Sequence, residues 1–368
     1  MGTLRLIFTI TIILGHIFSI FGFRYCELLT SPIAFESFFL LSGFYITMVW
    51  QTDYSKRPDG YKKFMTKRVL RVFPLYWLML LVTICVSLVT YATLNDSLLL
   101  TVAINNWAKL SWTVKAYVLF SNVFIVGQEA IFFVKINYQS GSFAWSQKFI
   151  DGDPPLHFFL LVSQAWAISY ILYYYFLVPL LNRLGSSLIV ILTLILLAAR
   201  FFWYYMGHYT EPWLYRFFPF EFAFFLLGML AYRAYKKWSI PLEKYRKIGS
   251  ALFILFVVMT CAYDFWQVDY LAKQWLYYLA LCTLMPLFFS ITKNYELDNY
   301  LGQLAYPAYM CNFIIIHLIR LSGIQTPWVL ILLVLGLTLF VSAFLLKYIV
   351  DPLNRFAQLK MGALKRGV

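Results

Sequence analysis

Leu4 to Phe23 reads LRLIFTITIILGHIFSIFGF, an apolar run whose one formal charge is on Arg5. A helix needs roughly 20 apolar residues to cross the hydrocarbon core of a bilayer, and this stretch has that length. It is longer than the apolar core of a secretory signal, and no small-x-small cleavage site follows it. It therefore reads as a first transmembrane helix. Similar runs recur along the chain. Of 368 residues, 62% are hydrophobic, 21% aromatic and only 12% charged, whereas soluble proteins average about 45–50% apolar and 25% charged. A water-soluble globule cannot hide that much apolar surface. The composition excludes a disordered chain, a secreted disulfide scaffold and a nucleic-acid-binding domain. It reads as an all-α polytopic membrane protein.

Runs of spanning length lie at 4–23, 32–51, 70–92, 157–181, 187–206, 217–235, 248–266, 274–292, 301–320 and 327–350. A further candidate, Val114 to Val134, carries Lys115, Asn122, Gln128 and Glu129. Charge decides its placement, because loops on the cytoplasmic side collect Lys and Arg. With ten spans and an inner N-terminus, 21 of the 30 basic residues fall inside, including the cluster at 233–247 and the distal Lys365 and Arg366. An eleventh span would turn that cluster outward. Residues 93–156 are therefore expected to form an outer-face insertion, with a helix lying on or dipping into the membrane. Both termini are expected in the cytoplasm, and 1–368 reads as one transmembrane domain. Cys26, Cys85, Cys261, Cys282 and Cys311 have neither disulfide nor metal-ligand spacing and read as small core hydrophobes.

Ionisable side chains inside a span are costly and mark function by default. At about 1.5 Å per residue, His16 lies about 16 Å beyond Arg5, in the outer half of the bilayer. Glu36, Glu221 and His317 reach the same outer half from the second, sixth and ninth spans, while Ser42 and Asn312 lie nearer the middle. Arg5, Arg68 and Arg71 sit at the cytoplasmic mouth. This is a polar column, cationic below and carrying imidazole and carboxylate above. Taken singly, each residue also has a bland role: His16 as a packing residue, Arg68 and Arg71 as topogenic anchors, Glu221 as a helix bridge, His317 as a snorkelling end group.

Six blocks resemble the membrane-bound acyltransferase-3 family. LRLIFTITIILGH matches its Arg-(ten residues)-His signature through Arg5 and His16. FESFFLLSGF (35–44) is similar to its "vDlFFvlSGF", with Glu36 for Asp, and KRVLRVFPLYW (67–77) matches its RxxR block through Arg68 and Arg71. QAWAISYILYYYFLVP (164–179) keeps the spacing of "aWSLgvE..FYll.P", but Ile171 stands where the family has Glu. LGQLAYPAYMCN (301–312) resembles "lG.iSYplYLlH", with Asn312 in place of His, and VDPLNR (350–355) resembles the closing "vE.Pl.r".

The resemblance implies O-acylation of an envelope carbohydrate, such as lipopolysaccharide O-antigen or exopolysaccharide, in a bacterial inner membrane. The acyl group, most simply acetyl, would come from cytoplasmic acyl-CoA as co-substrate, with no resident cofactor and no metal. His16 is expected as general base, with Glu36 holding its ring. Arg5, Lys67, Arg68, Arg71 and Ser42 are expected at the donor, and Trp166, Tyr306, Tyr309, Asn312, His317 and Glu221 at the acceptor. Arg68 and Arg71, three apart, are expected to share a helical face and clamp phosphate together. Two rivals remain at this level: a carrier or flippase for a polar solute or lipid-linked glycan, and a silent scaffold, which Ile171 and Asn312 keep open.

Overall fold

The computed structural model describes residues 1–23, 28–146, 148, 150–213 and 215–361; Cys26, Lys365 and Arg366 fall outside them. The described residues form α1 (Gly2–Phe21), α2 (Ser31–Val49), α3 (Gly60–Leu94), α4 (Thr101–Asn106), α5 (Trp112–Phe124), α6 (Trp166–Leu181), α7 (Ser186–Tyr205), α8 (Phe218–Lys244), α9 (Arg246–Cys261), α10 (Tyr270–Thr292), α11 (Glu296–Arg320), α12 (Pro327–Leu345) and α13 (Asp351–Met361). Every apolar run read from the sequence contains a helix. Eight are long and apolar enough to cross a membrane by themselves: α1, α2, α3, α6, α7, α10, α11 and α12, some with adjoining turns. The remaining two of the expected ten, α8 and α9, differ for physical reasons. α8 carries Glu221 and Arg233 inside its apolar stretch, and α9 has 16 residues. Residues 157–165 depart from the expected span. They form short 3₁₀ turns at Leu156–Phe159 and Ser163–Ala165, and the α-helix begins only at Trp166.

Local chemistry sets the ends. Pro32 and Pro327 sit in the first turns of α2 and α12, where a missing N–H costs nothing. α1 stops at Gly22, whose φ of 73° is a left-handed cap that an L side chain resists. Its N-terminus is capped in trans: the Asp298 carboxylate of α11 accepts from the Gly2 and Thr3 N–H groups at 2.7 and 2.9 Å.

Helix directions follow from which residues meet. Gly2 pairs with Asp298 and His16 with Asn312, so α1 and α11 run parallel with a constant offset. Glu36 and Phe44 of α2 meet Glu221, through Arg200, and Tyr232 of α8, another parallel pair. α6 also parallels α2, since Phe35 packs on Trp166 and Thr47 bonds Tyr174. α3 runs the other way: Phe64 meets Trp50 near the end of α2, while Tyr76 reaches Asn122 at the far side. Residues 95–165 thus leave and re-enter the bundle at the same end, which agrees with the rejection of an eleventh span. The insertion itself differs from the single helix expected. α5 has 13 residues, and an antiparallel hairpin of β1 (Val134–Asn137) and β2 (Ser142–Trp145) follows it, turning at Gly141 with φ 65°. The end holding Arg5, Arg68 and Arg233 is called the basic end below, and that holding the insertion the far end.

Large apolar side chains face outward on the peripheral helices, among them Leu81 and Leu88 on α3, Leu194 and Ile195 on α7, and Leu332 and Phe340 on α12. In water such a surface would aggregate; against lipid tails it is the stable arrangement. Cys85 and Cys261 lie on this outer surface rather than in the core, whereas Cys311 is buried. With no hydrophobic force between helices in lipid, close backbone approach at small residues supplies much of the packing. The α2–α8 crossing shows it. A Cβ on Gly43 would fall 2.1 Å from the Phe225 carbonyl oxygen, and one on Gly228 2.0 Å from that of Leu40. Gly43→Ala should therefore push the helices apart and destabilise the fold by about 1–3 kcal/mol, seen as a lower Tm in detergent. Gly336→Ala on α12, where an added Cβ meets nothing, should leave Tm unchanged.

Candidate functional site

His16 and Asn312 come together because α1 and α11 run side by side in fixed register. The Nδ1 atom of His16 lies 2.8 Å from Asn312 Oδ1. Asn312 is fully buried, and its Nδ2 donates to the carbonyls of Ala308 and Tyr309, at 3.3 and 2.6 Å. Those bonds fix the amide orientation, so its oxygen faces the ring. An oxygen acceptor there requires Nδ1 to carry the hydrogen, which leaves the Nε2 lone pair as the basic site of the neutral ring. Asn312, expected at the acceptor, is thus the residue that holds His16. Phe313 packs edge-on against His16 at 5.5 Å and against His317 at 4.9 Å, which separates the two imidazoles. His317 Nδ1 is buried without a hydrogen-bond partner.

Glu36 does not hold the His16 ring. Arg200 of α7 donates to it, and Gln274 of α10 adds a second bond at 3.2 Å. The same guanidinium reaches Glu221 of α8 at 3.1 Å. Both glutamates are fully buried and Arg200 nearly so. Glu221 is therefore part of a structural network rather than a free acceptor-side carboxylate. The reason is electrostatic: one buried cation collects both carboxylates, and it lies on a helix that no motif singled out. Arg200 was legible in principle as the lone Arg inside an apolar span.

At the far end, Trp166 is buried between Phe35, at 5.0 Å between rings, and the guanidinium of Arg216, 4.5 Å from its ring centre. Phe132 at 4.2 Å and Tyr215 at 4.8 Å complete an aromatic enclosure of that cation. Arg216 also donates to Glu211 at 3.0 Å. Burial works against its charge, but Tyr215 and Glu211 hold its pKa above the ordinary value. It lies within electrostatic reach of His16. The sequence reading missed it, since a loop arginine carries no motif. The two tyrosines expected at a sugar are committed otherwise. Tyr306 donates to the Val72 carbonyl at 2.7 Å, tying α11 to α3, and Tyr309 donates to that of Gln164. Ile171 is half-buried against the apolar core.

At the basic end, Arg5 stacks on Tyr45 with its guanidinium 3.8 Å from the ring centre. Arg68 is buried between Phe64 and Tyr175, at 5.0 and 5.3 Å, and its Nε has no hydrogen-bond partner. Arg71 is exposed and within electrostatic reach of both. The expected common face of Arg68 and Arg71 is therefore split. Three residues turn a helix by about 300°, which leaves one side chain in the bundle and the next at its rim. Lys67 is half-buried, and Ser42 is buried in α2 beside Gly43, bonded to none of these arginines. The basic end thus gathers a buried guanidinium, Arg68, a half-buried one, Arg5, and an exposed one, Arg71, and guanidinium groups are suited by shape and charge to grip phosphate oxygens.

The family model described as an acyltransferase domain matches residues 2–347. No curated protein and no solved structure matches the chain.

Proposed function

The chain belongs to this membrane-bound acyltransferase-3 family, and from that premise we propose that it moves an acetyl group from cytoplasmic acetyl-CoA to a hydroxyl of an envelope carbohydrate, in a bacterial inner membrane. The observation that carries the reading is the His16–Asn312 pair, which leaves Nε2 as a base inside the bundle. The basic end faces the cytoplasm in this reading. The donor's phosphates then rest on Arg5, Arg68 and Arg71, and its pantetheine arm runs up the bundle. Arg5 and His16 are about 16 Å apart along α1, a span that a pantetheine arm bridges.

His16 Nε2 takes the proton from the sugar hydroxyl as its oxygen attacks the thioester carbonyl. Arg216 adds positive potential where the tetrahedral oxyanion develops. The carbon–sulfur bond then breaks, and the imidazolium returns its proton to the leaving thiolate. Carbohydrate ester and free CoA thiol are the products.

Surface glycans compared by mass spectrometry with and without the gene test this reading, with the gain of one acetyl group per modified sugar expected only where the gene is present. Identical glycans would overturn it. The donor grip has its own test. Arg68→Lys keeps the charge but loses the planar fork, so the KM for acetyl-CoA should rise at least tenfold, about one charge-assisted hydrogen bond, with membrane insertion unchanged. An unchanged KM would remove Arg68 from the donor site.

A further inference from the structure

A second cationic concavity lies at the basic end, away from the arginines just described. It is a polar cleft of about 350 Å³ between the turn after α2, the α6–α7 connection and α8, lined among others by Gln51, Lys56, Asn182, Ser186, Arg233 and Lys236. Its framework is ordered. Gln51 donates to Asn182 Oδ1 at 2.6 Å, and Lys236 Nζ lies 3.5 Å from Gln51 Oε1. Arg233 donates to Ser186 Oγ at 3.1 Å and to the carbonyls of Leu181 and Leu184 at 3.3 and 3.0 Å, closing the end of α6. Trp50 and Tyr54 turn the other way and pack on Phe64, which stacks under Arg68. That aromatic layer separates the cleft from the Arg68 group.

Topogenic charges need only lie on the correct side of the membrane. Here three cations converge on one hollow, Lys56 from the turn after α2 and Arg233 and Lys236 from α8, and no residue lining it is acidic. The carboxylate on its flank, Asp53, accepts from Thr52 at 2.8 Å. Gathering like charges around a void is unfavourable unless an anion shares it. The 20-residue helix α7 also starts here, with Gly185 at its cap and no side chain satisfying its first amides, so the positive end of its dipole adds to the cations.

We propose that this cleft is a phosphate site, taking a phosphomonoester or diphosphate group, and that it is separate from the Arg5, Arg68 and Arg71 group. The inference does not depend on the identity of the acyl donor. Arg233 is held in place by helix capping, while Lys56 and Lys236 are exposed and close on the anion from the rim. The phosphate has two possible sources, a soluble phosphate ester or the headgroup of an anionic lipid at the bilayer edge.

Hydrogen–deuterium exchange localises the test. Purified protein in phosphatidylcholine nanodiscs is titrated with inorganic pyrophosphate, and in a second arm placed in nanodiscs containing phosphatidylglycerol without it. Exchange should slow in peptides covering 50–57 and 182–188. Slowing with pyrophosphate alone assigns a soluble ester, and slowing with phosphatidylglycerol alone assigns a lipid headgroup. Lys56→Gln/Lys236→Gln should lower the apparent affinity at least tenfold. Lys62→Gln/Lys247→Gln, the same loss of charge at exposed positions elsewhere, should not. Lys56→Gln alone changes one exposed side chain and serves if the double variant misfolds, with a smaller loss expected. No slowing in either arm, or equal slowing in the Lys56 and Lys236 variants, overturns the site.

Discussion

His16→Ala should lower kcat for acetyl transfer by about 10²–10⁴-fold, the range attributed to a positioned general base, while the KM for acetyl-CoA stays near wild type. The donor contacts proposed above lie at the other end of α1, so removing the imidazole should take away a transition-state interaction and not ground-state binding. Asn312→Leu should fall less, by roughly tenfold or more, the scale of one lost orienting hydrogen bond. It keeps the base but frees the ring to adopt the other tautomer, in which Nε2 carries the hydrogen. The sharper expectation concerns the double variant. Since Asn312 acts only through His16, His16→Ala/Asn312→Leu should be no slower than His16→Ala alone. Thiol release from acetyl-CoA with a glycan acceptor measures all three. Near-wild-type turnover in His16→Ala, or strictly multiplicative losses in the double variant, would remove His16 from the chemistry or Asn312 from its support.

The contrast between His16 and its partner shows what the chain discloses about itself. Spans were legible because lipid leaves a helix no alternative to a long apolar run, and nearly every apolar run proved helical. Residues 157–165 misled because HFFLLVSQA is largely apolar whether it forms a helix or packs as short turns beneath the insertion. The hairpin had a local signal, the Ser-Gly turn at 140–141 between Val134–Asn137 and Ser142–Trp145, which the expectation of a surface helix overrode. His16 stood out as an imidazole in a span. Its partner did not, because the choice between Glu36 and Asn312 rests on the register of α1 against α11, which no local spacing encodes. Glu36 and Glu221 were placed at one depth and do share one network, through an Arg200 the sequence did not single out, but depth alone does not say which charges touch.

That network yields the largest stability effect. Arg200→Met should destabilise the protein by about 3–5 kcal/mol, the cost of breaking a buried ion pair by removing one partner. The variant strands two carboxylates, Glu36 and Glu221, in a bundle centre with no exposure to solvent. It also removes a cation that lies 5.2 Å from the Phe224 ring centre and 5.9 Å from that of Trp275. Met replaces much of the lost apolar stem, so the deficit is electrostatic and not a cavity. Arg200→Lys should recover little, because a single ammonium lacks the fork that reaches two helices at once. Arg200→Met/Glu36→Gln/Glu221→Gln removes all three charges together and should regain most of the loss, since the Gln side chains keep the shape and need less solvation. Free energies from denaturant unfolding in mixed micelles compare the four proteins. If Arg200→Met stays within about 0.5 kcal/mol of wild type, the ordinary range of surface substitutions, the network does not hold α2, α7, α8 and α10 together. If the triple variant is no better than Arg200→Met, the loss comes from packing against Phe224 and Trp275 and not from the stranded carboxylates.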